Sequence, residues 1–178
     1  TGTLHGDLYI IGGGDPTLGS KYFTKHDEER DFLTRWADSC YAMGIRKIEG
    51  HVIADASIYS YQGVPADWVW ADMGNYYGAG PSGLTIFDNM MKLHFKTGEN
   101  EGDSTSLECV TPYIPGIKIR NYVSSADSRK DNAYVYGAPY SADWFVRGSI
   151  PKQKEDFAVK ASMPDPELVM ALEVDYAL

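Results

Sequence analysis

Gly12-Gly13-Gly14-Asp15-Pro16 follows directly on the apolar run Leu8 to Ile11, and neither a strand nor a helix continues through three glycines and a proline. The chain must turn there, so residues 3 to 11 read as one or two short strands that end in a tight turn. Beyond the turn, Phe32, Leu33, Trp36, Ala37, Cys40 and Met43 recur at helical spacing and stop at Gly44. Thr24 and Asp27 resemble a helix-start box ahead of them, and the spacing predicts a helix of about four to five turns. Ile45, Ile48, Val52 and Ile53, with Gly50 among them, then return as strand structure beside the first strand. Strand, helix and strand make an α/β unit.

From Asp67 onward the texture changes to Trp, Tyr, Gly and Pro, which accounts for much of the chain's 13 Tyr, 4 Trp and 18 Gly. Short apolar runs at 84–95, 107–114, 117–123, 133–136 and 144–150 alternate with turn residues, the pattern of a compact all-β module. At the far end Asp165 can cap a helix, Pro166 suits its first turn, and Leu168, Val169, Leu172 and Tyr176 offer an apolar stripe. The expected fold class is α/β (α+β): a small discontinuous α/β domain of residues 1–66 plus 155–178 around a nested β-rich domain of residues 67–154. A chain of 178 residues, 43% of them hydrophobic, can bury that much core.

A net charge of -9 repels polyanions, and no stretch gathers enough Lys and Arg to reverse that, so nucleic acid and anionic membrane surfaces are excluded as partners. No apolar run reaches the roughly 20 residues that span a bilayer. The chain opens on Thr1 in running sequence, with no charged-then-apolar leader, which predicts a mature or excised piece. Cys40 falls in the predicted helix and Cys109 in a predicted strand, and the two are not expected to pair. His5, His26, His51 and His94 have no ligand-type spacing, so neither a metal nor a cofactor is expected.

Three strings imitate functional motifs. Gly12 to Gly19 follows a strand, but Pro16 has no amide to offer and no helix opens at Gly14, as pyrophosphate binding requires. Ser149-Ile150-Pro151-Lys152 spells the SxxK, and Lys96-Thr97-Gly98 the KTG, of serine penicillin-recognising enzymes. In that chemistry the serine opens a helix, so that the lysine lies beside it on one face and takes its proton. Here the serine string reads as a strand end running into a charged loop, and Lys96-Thr97-Gly98 as a solvated hairpin tip. The two also occur in reversed order, and no Ser-x-Asn is present. No catalytic residue is assigned within the chain.

Gly6 to Leu18, with its Gly-Gly-Gly-Asp-Pro-Thr-Leu turn, and Asp67-Trp68-Val69-Trp70-Ala71-Asp72-Met73-Gly74-Asn75-Tyr76-Tyr77-Gly78-Ala79 resemble two segments of D-alanyl-D-alanine carboxypeptidases of the penicillin-binding protein 4 type. Gly44-Ile45, Ile48-x-Gly50, Asp55, Asn121, Arg147 to Pro151 and Asp165-Pro166 follow in that family's order. The resemblance implies that the chain is the insertion between catalytic motifs that lie upstream and downstream in the same polypeptide. It implies a peptidoglycan stem peptide as substrate of the parent enzyme, with the catalytic domain of the same polypeptide as partner, in a periplasmic or other extracytoplasmic location. It also implies that Trp68, Asp72 and Tyr76 help to form a pocket for the stem-peptide side chain. One departure stands out: the first aspartate of the family's usual pair is Ala71 here, with Asp72 one position later. Two other readings compete, a stand-alone module that binds peptidoglycan or an envelope protein through exposed aromatics, and a nucleotide-binding α/β enzyme.

Overall fold

The computed structural model describes residues 2–25, 28–60 and 62–178. Asp27, half of the expected helix-start box, lies outside them. In chain order the elements are β1 (Thr3–Leu4), β2 (Leu8–Ile11), α1 (Asp31–Ala42), β3 (Lys47–Ile48), β4 (Val52–Asp55), α2 (Trp70–Met73), β5 (Met90–Lys96), β6 (Ser106–Thr111), β7 (Lys118–Ala126), β8 (Tyr134–Tyr136), β9 (Asp143–Pro151), β10 (Phe157–Ser162) and α3 (Pro166–Ala177). They group into two compact units: Thr1–Gly63, Pro81–Asn89 and Asp165–Leu178 form the first, and Val64–Gly80 with Met90–Pro164 the second.

In the first unit β1 pairs in parallel with β3, and β2 with β4. Parallel neighbours need a crossover, which α1 supplies. The pairing breaks where Gly50 passes the Gly6 carbonyl: a Cβ on residue 50 would stand 2.2 Å from that oxygen. Asp7 bridges the gap by accepting the His51 amide at 2.9 Å. The three-glycine turn is tied down at once, because the Gly12 amide donates to Asp55 and the Gly14 amide to Gly83. Gly12 has no room for a side chain, since its Cβ would meet the Gly83 oxygen at 2.3 Å. Gly14 takes a φ of 75°, which glycine adopts freely. α1 starts at Asp31, far beyond Gly14, and its 12 residues are shorter than the sequence pattern suggested. It buries Phe32 and Leu33, whereas Met43 beyond its end is exposed.

α3 begins as expected, with the Asp165 carboxylate accepting the Leu168 amide at 2.9 Å and Pro166 in the first turn. Of the expected stripe, Val169 is buried, but Leu168 and Tyr176 are not. Pro166, Glu167, Val169, Met170, Glu173 and Val174 turn inward, toward β4 and α1, while Leu168 is 39% and Tyr176 76% exposed. The helix carries apolar side chains on nearly every side, so spacing could not select a face. Two inward carboxylates have distant partners: the Ser82 hydroxyl donates to Glu167 at 2.8 Å, and Arg30 pairs with Glu173.

The second unit holds two three-stranded sheets. In the order β10-β5-β6 all neighbours are antiparallel, whereas in β7-β9-β8 the long strands β7 and β9 run parallel and β8 is antiparallel to β9. Met91, Leu93, Phe95, Val159 and Ala161 are buried from the first sheet, and Val123, Val135, Trp144, Val146 and Ile150 from the second. The Trp144 indole satisfies its N–H on the Ser141 carbonyl at 2.7 Å.

The unit boundaries differ from the expected 66/67 and 154/155. Segment 157–162 was placed with the α/β domain, but it zips along β5 from Phe157 opposite Phe95 to Ser162 opposite Met90, which carries it into the second unit. Residues 81–89 belong to the first unit, where Gly83 receives the glycine turn.

Candidate functional site

Trp68 closes a turn in which its amide donates to the Pro65 carbonyl at 3.2 Å, and its ring is partly exposed. α2 follows with Asp72, and a short 3-10 turn at Tyr76–Gly78 carries the two tyrosines. Glycine makes the tight path possible: a Cβ at Gly74 would meet the Val135 oxygen at 2.2 Å, and one at Gly78 the Asp72 oxygen at 2.1 Å. The segment is anchored to β10 as well, by Ser162, whose amide donates to Gly74 and whose hydroxyl donates to the Met73 carbonyl at 2.6 Å.

Asp72 and Tyr76 meet through Tyr77, a residue the sequence reading passed over. Partial burial followed by the nearby Asp72 charge pushes the Tyr77 phenol above the usual tyrosine range, with Tyr134 and Tyr76 adding to the effect. The rings of Tyr76 and Tyr77 meet edge to face at 5.2 Å. Tyr76 and Tyr77 are each 51% exposed, so the cluster presents a carboxylate beside two open aromatic faces. Trp68 joins neither residue through a hydrogen bond or ring contact among the described residues. The doubled tyrosine was the signal available for Tyr77; Tyr134, from β8, had none.

The motif-like strings sit on strands and loops. Ser149 lies within β9, where its carbonyl accepts the Asn132 amide, and Lys152 pairs with Asp127 at 3.4 Å. Lys96 ends β5 and pairs with Glu155 at 2.8 Å, a bond that raises its pKa above the usual lysine value. Thr97 is buried and exchanges two hydrogen bonds with the Lys154 backbone.

A third grouping escaped sequence reading. His94 Nδ1 lies 2.9 Å from Asp156 and its Nε2 2.8 Å from the Thr111 hydroxyl. The order of carboxylate, imidazole and hydroxyl is that of hydrolytic triads. Here it links β5, β6 and the segment before β10, with Asp156 66% exposed, and acts as a clamp across the sheet edge. Cys40 and Cys109 are free thiols, and no cluster of possible metal ligands occurs among the described residues. No helix among the described residues is long and apolar enough to cross a membrane.

The D-Ala-D-Ala carboxypeptidase 3 (S13) family matches residues 1–178. The chain is 30% identical over 160 residues to a D-alanyl-D-alanine carboxypeptidase of Actinomadura sp. (strain R39), covering 89% of this chain and 26% of that protein. It is 23% identical over 179 residues to the D-alanyl-D-alanine carboxypeptidase DacB of Haemophilus influenzae, covering 96% of this chain and 33% of that protein. The crystal structure of penicillin binding protein 4 from Haemophilus influenzae matches with a TM-score of 0.73 at 22% identity, over 99% of this chain and 37% of that chain. The mixed α/β fold is common to both. The chain therefore spans between 26% and 37% of the length of these relatives.

Proposed function

The chain belongs to the D-Ala-D-Ala carboxypeptidase 3 (S13) family, and from that membership we propose that it is the inserted scaffold region of a serine-type D-Ala-D-Ala carboxypeptidase or endopeptidase that remodels peptidoglycan. The parent enzyme attacks the terminal D-Ala-D-Ala bond, or a D-centred crosslink, with a serine held elsewhere in the polypeptide, and passes through an acyl-serine intermediate. Its substrate places it outside the cytoplasm. The present chain supplies scaffold and one wall of the stem-peptide side-chain pocket. Trp68 and Tyr76 contribute aromatic surface there, and Asp72, beside Tyr77, offers a carboxylate to the ammonium group of a diamino acid.

The observation that carries this reading is the position of Ser149 within β9, a strand rather than the start of a helix, with Lys152 engaged by Asp127. Ser149 lies on a strand and Lys152 just past its end with its ammonium engaged by Asp127, so the pair lacks the helix start on which a lysine three residues on lies beside the serine and takes its proton. The test is intact-mass measurement of the chain after incubation with a penicillin, beside an acylated carboxypeptidase as control. An unchanged mass is expected, and a stoichiometric penicilloyl adduct on Ser149 would overturn the reading. A second reading, a module whose own role is to hold peptidoglycan, is favoured by the outward face of the β7-β9-β8 sheet.

A further inference from the structure

Outward residues of the β7-β9-β8 sheet form a patch that adjoins the Trp68 to Tyr76 segment, where Tyr136 meets Trp70 and Tyr134 approaches Tyr77. β7 alternates exposed Lys118, Arg120 and Tyr122 with less exposed Ile119, Asn121 and Val123. In β9 Asp143, Phe145 and Arg147 alternate with buried Trp144 and Val146, and in β8 Tyr134 and Tyr136 flank buried Val135. The registers set Arg147 opposite Tyr122 on one side and Tyr134 on the other. Arg147 forms no ion pair among the described residues. Two residue pairs along, on the same face, Phe145 stacks on Tyr136 with ring centroids 4.7 Å apart and planes 9° from parallel, and Tyr136 lies 6.4 Å from Trp70. This band of rings borders a cavity of about 440 Å³ formed by Tyr122, Phe145, Arg147 and Gly148.

Charge and shape together restrict what fits. Lys118, Arg120 and Arg147 face one carboxylate, Asp143, itself 3.8 Å from Arg120, on a chain whose net charge is -9. The guanidinium fork matches a carboxylate, and the flanking tyrosines shed water around the pair, which strengthens it. Flat aromatic faces offer apolar area with hydroxyl groups at their edges, suited to a sugar ring. The cavity volume lies in the range of small-ligand sites. An acidic protein segment would use the cations but has no need of three adjoining rings.

We propose that this face binds the junction of sugar and peptide in peptidoglycan, with a stem-peptide carboxylate on Arg147 between Tyr122 and Tyr134 and the pyranose ring against Phe145. The proposal rests on the reading above that the parent enzyme acts on peptidoglycan, and adds a second contact with that polymer. It is tested by titrating the isotope-labelled chain with N-acetylmuramyl-L-alanyl-D-glutamate γ-methylamide, whose α-carboxylate is the one a γ-linked stem peptide leaves free, and following the Arg147 Nε resonance and the amides of Tyr122 and Tyr134. Three further ligands are run beside it: the same compound with its carboxylate amidated, the sugar-free dipeptide, and hexaglutamate.

Binding of the intact muramyl peptide, weakened at least about ten-fold by amidation, by removal of the sugar and by Arg147→Ala, is expected. Because Arg147 is exposed and unpaired, that variant folds. Equal binding by Arg147→Ala, or no binding at all, overturns the proposal; tighter binding of hexaglutamate than of the muramyl peptide overturns it in favour of an acidic protein partner. The probe contains neither a diamino acid nor D-Ala-D-Ala, so failure here leaves the reading of Trp68, Asp72 and Tyr76 standing, and failure of the penicillin test leaves this one measurable.

Discussion

Asn75 Oδ1 accepts the backbone N–H of Val135 at 3.0 Å from a side chain only 4% exposed. Its amide nitrogen donates to the Ala71 carbonyl at 2.6 Å, so one residue fixes the end of α2 and ties the tyrosine segment to β8. Asn75→Leu keeps the branched outline, adds some bulk and strands the buried Val135 donor, at a cost of about 1–3 kcal/mol. Thermal unfolding followed by circular dichroism measures it. An unchanged midpoint would mean that the glycine contacts and Ser162 hold the segment unaided.

The Asp72 and Tyr77 pair makes a spectroscopic prediction. Partial burial and the Asp72 charge hold the Tyr77 phenol above its ordinary value of 10.0. Asp72→Asn removes the charge and leaves burial in place, so Tyr77 titrates at lower pH than in the native chain. Ring-proton shifts followed through alkaline pH report it, and an unmoved midpoint would show that burial alone sets the phenol.

Glu167 predicts a dependence of stability on pH. Burial, with Asp165 adding to it and the Ser82 hydroxyl opposing, raises its carboxyl above the ordinary 4.5, and one of its oxygens has no hydrogen-bond partner. Between the unfolded and the raised folded value, the folded chain holds a proton that the unfolded chain has released. The stability contributed by this group is complete below the unfolded value and is lost as pH rises through the raised folded one. Glu167→Gln stays neutral and still accepts from Ser82, so its melting temperature exceeds that of the native chain near about pH 7, and the gap closes on acidification. A gap independent of pH would assign the effect to packing.

Two neighbouring glycines separate sterics from sequence context. Gly12→Ala drives a methyl group against a backbone oxygen and costs about 1–3 kcal/mol. Gly13→Ala meets nothing within 4 Å and leaves stability nearly unchanged. Chemical denaturation of both variants checks the contrast, and equal losses would place the strain elsewhere in the turn.

Local signals carried far into this fold. The glycine turn, the period ending at Gly44, the Asp165-Pro166 start and the alternating strands were legible because turn chemistry and side-chain period are written in neighbouring residues. Partners far apart in sequence were not. Glu167 and Glu173 look like solvent-facing positions until Ser82 and Arg30 arrive from elsewhere in the chain. β10 was missed although Phe157, Val159 and Ala161 alternate, because a charged stretch precedes them and nothing local names β5 as their mate. At the candidate site Trp68, Asp72 and Tyr76 came from family resemblance, whereas Tyr77, Tyr134 and the row around Arg147 emerge only once β7, β8 and β9 are in register.

Because α3 closes the first unit, the order of synthesis matters. A nascent chain has made β1 to β4 by Asp55, yet the helix that covers β4 does not begin until Pro166. All of the second unit is translated in the interval. During that time the apolar side of the early strands has no permanent cover, and contacts between segments so distant in sequence form slowly. The nested unit can finish first, so the α/β unit is the last to bury its apolar side.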